Sequence, residues 1–472
     1  MLFNSYIFIL FFMPCAVAGY YLCDLWSPRM RRAWLLACSI LFYAWGSCLF
    51  LGVLLGSVCL NFLIGRAVGR YRSRTILACG VGLNLLLLGY YKYFWFFLSS
   101  FFPAEISENY TQWSRVALPL GLSFITFQQL AYLVDTYRQK TVPQTLGDHF
   151  QFILFFPVLL AGPLVRQAVL MPQLMRDRVR FDGDLVGKGL FCFILGLCKK
   201  LMLADVIGRL VAGPVFEMST HGSLSFPQAW YGALGYTLQL YFDFSSYSDM
   251  AIGVALMLGV VLPPNFMSPY KALSISDFWR RWHMTLSQFL RDYVYIPLGG
   301  NRKGPVWRYS NLMITMLLGG LWHGAGWTFI IWGGLHGLYL CVNHFWSAIQ
   351  RPLPRFMAWG LTFVAVIFAW VVFRAETLES ALLIWRAMLW PFSFSLQNMS
   401  WGGGGAVIAG FCVLFLCPSI PEWLEGQTGG AKIPLIGRWT GSALQGLVMG
   451  GLLWFCCLLI QFSQSEFLYF NF

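Results

Sequence analysis

"ILACGVGLNLLLLGYYKYFWFFLSSF", residues 76–101, is apolar or aromatic at almost every position and holds one charge, Lys92. A helix rises about 1.5 Å per residue, so about 20 such residues cross a hydrocarbon core of about 30 Å, and this stretch exceeds that. It has no polar face to offer water, so it reads as a transmembrane helix. Similar runs recur at Tyr6–Tyr21, Phe356–Phe373 and Ala443–Phe462. The stretch Ala33–Ile64 is long enough for two spans. Weaker runs are Leu118–Val134, Gln151–Leu174, Val186–Leu203, Pro227–Phe242, Asn311–Ile331 and Gly405–Pro418. About nine to eleven spans are expected, short or re-entrant helices included.

Composition agrees. The chain has 472 residues, 58% hydrophobic and 11% charged, against roughly 25% charged in an average soluble domain. The longest polar interruptions, Asn109–Arg115, Arg176–Asp184 and Glu422–Gly441, are too short to bury a core of their own, and Trp401–Gly405 reads as a loop. One integral-membrane unit, residues 1–472, is therefore expected. Tyr6–Tyr21 lacks the basic flank of a signal peptide and reads as a retained first span. Arg29, Arg31 and Arg32 follow it, which by the positive-inside rule makes that loop cytoplasmic and puts the N-terminus outside. Arg66, Arg70, Arg72 and Arg74 mark a second cytoplasmic loop if Ala33–Ile64 is a pair of spans.

The net charge of +13 lies mostly between the apolar runs. It suits topology and anionic lipid headgroups, and no basic patch interleaved with stacking aromatics suggests nucleic acid. The 13 cysteines fall mainly inside apolar runs, as at Cys192, Cys198, Cys456 and Cys457. They read as small hydrophobes, and no close His/Cys set suggests a metal site.

Three stretches depart from this apolar background. In "WRRWHMTLSQFLRDYVYIPLGGNRKG", residues 279–304, Ser274 and Asp277 upstream have the S-x-x-D form of a helix start, and no glycine or proline intervenes before Pro297. On a continuous helix His283, Ser287 and Arg291 share a face, and Asp277 and Arg281 are spaced to pair. The arginines suit an interfacial helix, a reading that leaves His283 unexplained.

In "GGLWHGAGWTFIIWGGLHG", residues 319–337, His323 and His336 stand among Gly, Leu, Ile, Phe and Trp. Ionisable groups at membrane depth are costly and mark functional cavities. The glycines permit close helix contact or a bound chain beside the histidine. On an unbroken helix the two rings point about 140° apart, so they act together only if the helix breaks near Gly324–Gly326. A histidine hydrogen-bonded across helices is the plain alternative for His336 and for His344. Third, "YFDFSSYSDMAIG", residues 241–253, sets Asp243 and Asp249 among hydroxyls. They could orient a substrate, pair with the arginines of the opening helix, or cap the next span.

These stretches, with "NFMSPYKALSISDF" ahead of the first and the opening "MLFNSYIFILFF", resemble the membrane-bound O-acyltransferase (MBOAT) family. "YIPLGGNRKG" is similar to its alginate and cellulose O-acetylation branch. The resemblance implies an all-α integral-membrane ring of helices around a central tunnel. It implies a catalytic histidine at His323 beside Trp322, and a second polar position, commonly His or Asn, at His283 beside Trp282. It further implies a cytoplasmic acetyl-CoA donor whose phosphates lie near Arg280, Arg281 and Arg302, with no cofactor and no metal. The acceptor would be a periplasmic partner acetyltransferase serving an exopolysaccharide, in the bacterial inner membrane. His323 would act as base, and His283 would orient the acceptor or stabilise the oxyanion; a covalent acyl-histidine competes. Ser287, Arg291, Asp243 and Asp249 complete the expected substrate-binding set, with His336 a further candidate. D-alanyl transfer to teichoic acid, and transport of an acyl group or polymer without chemistry, are the alternatives.

Overall fold

The computed structural model describes residues 1–46, 48–102, 118–142, 144–222, 224–397, 399–429, 442–461 and 466–468. The expected polar interruption Asn109–Arg115 lies outside them, as does much of Glu422–Gly441. The described residues form helices and no strand.

Among the described residues, six helices are long and apolar enough to cross a membrane: Ile7–Trp26, Cys48–Tyr71, Arg74–Phe101, Arg355–Arg374, Trp401–Gly426 and Ala443–Ile460. Leu83, Leu85, Leu86, Phe97 and Phe101 on the third of these are exposed, which suits a lipid solvent and not water. The quoted run is thus a helix with an apolar outer surface.

Several other expected spans take a different form. Gln151–Leu174 is two short helices, Leu146–Leu154 and Gln167–Leu174. Pro157 and Pro163 lie between them, and proline lacks the N–H that a helix interior needs. Trp401–Gly405 is the first turn of a helix and not a loop, because the Ser400 hydroxyl accepts from Gly403 N at 3.0 Å. The acidic stretch 241–253 caps nothing: it lies inside one helix of 32 residues, Phe226–Met257.

The described chain divides into two compact units. One comprises Met1–Phe193 and Met250–Pro263, the other Ile194–Asp249 and Pro264–Phe472. In the first, Asn61 and Asn84 exchange hydrogen bonds of 3.1 and 2.7 Å, and Asn61 also donates to Gln129. These amides join the helices Cys48–Tyr71, Arg74–Leu88 and Leu122–Tyr137 through polar contacts, the usual means where lipid offers no hydrophobic drive. Arg31, expected in a basic cytoplasmic loop with Arg29 and Arg32, is fully buried. It pairs with Asp24 and donates to the carbonyls of Leu174 and Arg176. The second unit holds both histidine-bearing stretches.

Candidate active site

The opening charged helix begins as its pattern predicts. The Ser274 hydroxyl accepts from Asp277 N at 3.1 Å, and Asp277 pairs with Arg281 at 2.9 Å. It does not run on to Pro297. The helix Ile275–Arg281 ends, Trp282 is extended, and His283 sits in the left-handed region with φ 42° and ψ 54°. A second helix, Met284–Leu290, follows, and a π-type turn covers Arg291–Tyr295.

Residues 265–267 hold this break. Met284 N donates to the Asn265 carbonyl at 2.9 Å, and Met267 N donates to the Arg281 carbonyl at 3.0 Å. They supply partners that the broken helix ends lack. The expected common face of His283, Ser287 and Arg291 therefore does not form. Ser287 is half-buried with its hydroxyl on the Trp282 carbonyl at 3.3 Å. Arg291 is exposed and pairs with Asp292 at 2.7 Å.

His283 itself is fully buried. Its Nδ1 lies 3.1 Å from Asn265 Oδ1, and the Phe244 ring meets it edge-on at 4.8 Å. Burial pushes its pKa down to about 3, so the imidazole is neutral at ordinary pH.

His323 ends the helix Pro305–His323, and the next helix begins at Trp327. The helix thus breaks at Gly324–Gly326, the condition under which the two histidines of this stretch can meet one group. That group is Trp332, whose ring centroid lies 5.0 Å from His323 and 4.8 Å from His336. The return is tight because glycine faces backbone: a Cβ on Gly320 would lie 2.3 Å from the Phe329 carbonyl oxygen, and one on Gly333 2.3 Å from that of Met316. Trp322 and Phe373 complete the aromatic walls around His323, at 5.0 and 5.4 Å. Trp322 also lies 6.3 Å from His283, so one indole touches both candidate catalytic rings.

His336 takes the cross-helix arrangement. The Trp279 indole N–H donates to its Nδ1 at 3.3 Å. His344 is half-buried.

The remaining candidates separate. Trp282 is buried against Phe266, Phe278 and Trp370, where it packs. Arg280 and Arg302 are exposed. Asp243 and Asp249 do not meet the arginines of the charged helix: Lys200 pairs with Asp243 at 2.7 Å and with Asp205 at 2.8 Å, and Lys199 pairs with Asp249. A π-type turn at Lys199–Ala204 widens the helix there, and both successive lysines reach acids of the Phe226–Met257 helix. Sequence reasoning missed these lysines and Asn265. The lysines carried a signal, two adjacent charges interrupting an apolar run; Asn265 carried none beyond a polar residue between Pro264 and Phe266.

Fold and site together define a multi-pass helical membrane protein with imidazoles sunk among aromatic rings. The sequence model of the membrane-bound O-acyltransferase family matches residues 137–382. The chain is 41% identical to the peptidoglycan O-acetyltransferase of Helicobacter pylori, over 85% of this chain and 82% of that one. It is 41% identical to the probable alginate O-acetylase AlgI of Pseudomonas aeruginosa, over 85% and 76%. With the teichoic acid D-alanyltransferase of Bacillus subtilis it shares 26% identity over 63% and 78%. The chain belongs to the membrane-bound O-acyltransferase family, and it is an acyltransferase.

Proposed function

We propose that this acyltransferase takes an acetyl group from cytoplasmic acetyl-CoA and passes it through the bacterial inner membrane to a periplasmic acceptor protein, for O-acetylation of an exported or envelope glycan of the alginate or cellulose kind. The grading of its relatives supports acetyl over D-alanyl. Those named for O-acetylation share 40 to 42% identity over 85% of the chain, those named for D-alanyl transfer 26 to 27% over at most 63%. With the helix Pro28–Ala44 as a further crossing between Ile7–Trp26 and Cys48–Tyr71, the basic segment 66–74 on the cytoplasmic side supports a periplasmic N-terminus.

The observation that carries the reading is the pair of buried histidines, His283 and His323, on one indole, Trp322. The acceptor's hydroxyl oxygen attacks the thioester carbonyl while His323 takes its proton. The C–S bond then breaks, and the departing thiolate receives that proton from the imidazolium. His283 is the second polar group at the reacting centre. Arg280 and Arg302, both exposed, are the guanidinium groups proposed for the donor's phosphates; Arg281 is engaged by Asp277.

The test uses protein in liposomes with labelled acetyl-CoA outside and candidate acceptor proteins inside. Wild type should label the acceptor, and His323→Ala should lose about 10²- to 10⁴-fold in rate. Normal labelling by that variant would leave only a transport role.

A further inference from the structure

Asn265 is fully buried, and its side-chain oxygen is met from three directions. Thr285 N lies 3.3 Å from it, Thr285 Oγ1 2.9 Å and His283 Nδ1 3.1 Å, while the Asn265 amide nitrogen donates to Ser248 Oγ at 3.1 Å. Oxygen and nitrogen of an amide are assigned by their neighbours, and here one neighbour decides. A backbone N–H can only donate, so the atom facing Thr285 N is the oxygen; the reverse orientation would set an NH₂ against an N–H. An amide oxygen can only accept. The hydrogen on the line between it and His283 therefore belongs to Nδ1.

We infer that Asn265 is a positioning residue that locks His283 in the Nδ1–H tautomer, so that His283 presents a lone pair and no N–H at Nε2, and the one proton of the acyl-accepting hydroxyl is left to His323. A neutral imidazole carries one proton. With it at Nδ1, Nε2 cannot donate to the oxygen of the tetrahedral intermediate, which removes His283 from the oxyanion role. His336 shows the opposite arrangement: an indole N–H is a donor only, so its Nδ1 is the accepting nitrogen. The two imidazoles are thus held as opposite tautomers by different neighbours. The position of the proton stands on the hydrogen bonds alone; the part played by Nε2 rests on the acyl-transfer reading above.

Two measurements separate those levels. In protein labelled with ¹⁵N-histidine in lipid bilayers, the His283 signals are found among the six histidines as those lost in His283→Gln. The expected result is a protonated, pyrrole-type shift at Nδ1 and a pyridine-type shift at Nε2 near neutral pH; the reverse pattern overturns the inference whatever the activity. The second measurement is the pH profile of acetyl transfer by Asn265→Leu and Asn265→Asp. The leucine variant should lose about 10²-fold in kcat, a cost of the order seen when an oriented imidazole loses its partner, with KM for acetyl-CoA within about twofold. The aspartate variant keeps the acceptor and adds a negative charge, which favours the imidazolium. It should retain transfer, with the acid limb of its profile raised by about one pH unit or more. A purely structural asparagine would leave that limb in place, and an unmoved limb or a leucine variant with wild-type kcat overturns the inference. If the leucine variant does not fold, the aspartate profile and the spectrum still decide. No transfer by the wild type would sink the acyl-transfer reading, and the spectrum would still decide the tautomer.

Discussion

At the scale of single residues, the second unit handles charge by neutralising it locally. Lys199 is ion-paired with Asp249 and also donates to Ser245 Oγ at 2.9 Å, while Lys200 is held between Asp243 and Asp205. Removing one member of a buried pair strands the other charge, whereas removing both often costs little. Lys199→Met should therefore lower stability by about 3 kcal/mol or more, and Lys199→Met with Asp249→Leu should recover most of it. A double-mutant cycle by thermal unfolding in detergent checks this; equal losses in the single and double variants would refute it. Sequence reading found the two acids but left them to substrate, to arginines or to a helix cap, because partners brought in by a π-type turn from a helix some fifty residues upstream leave no spacing to read. His283 and His323 were legible for the opposite reason: an imidazole in an apolar run is conspicuous on its own.

At the scale of elements, the site is made by interruptions. The break at Gly324–Gly326 could be read in advance, since glycines flank the histidine there. The break at Trp282–His283 could not, because the local sequence favours helix and the hydrogen bonds that end it come from residues 265–267. The return after His323 depends on Gly320 and Gly333, whose Cα atoms face each other across the two helices: the Gly333 Cα is 3.1 Å from a Cβ placed on Gly320. An added methyl would press on backbone, which cannot rotate away. Gly320→Ala or Gly333→Ala should cost about 1 to 3 kcal/mol and shift His323 relative to Trp332. The expected readings are a lower Tm and a kcat reduced at least tenfold, since misplacement by about 1 Å can cost about 10²-fold. Gly360→Ala, where nothing lies within 4 Å of the added carbon, should lower neither.

At the scale of the whole molecule, the apolar runs announced the membrane class and the six helices that meet the length and apolarity of a span. Phe226–Met257 and Trp327–Ile349 are also long, and they carry the polar and ionisable residues of the second unit. Loop charge was legible too, although Arg31 turns inward onto Asp24. Arg66, Arg70, Arg72 and Arg74 are all exposed and give the firmer topological signal. A green fluorescent protein joined after Arg72 should fluoresce, and alkaline phosphatase joined there should be inactive. The reverse result would invert the proposed orientation.

The left-handed backbone at 283 has a consequence for which side chains the position can host at all. β-Branched and bulky residues are strained at such an angle; glycine, asparagine, aspartate and histidine tolerate it. The loop geometry therefore acts as a filter ahead of any demand from chemistry. Drift at this site is confined to a short alphabet, and most of its letters are polar.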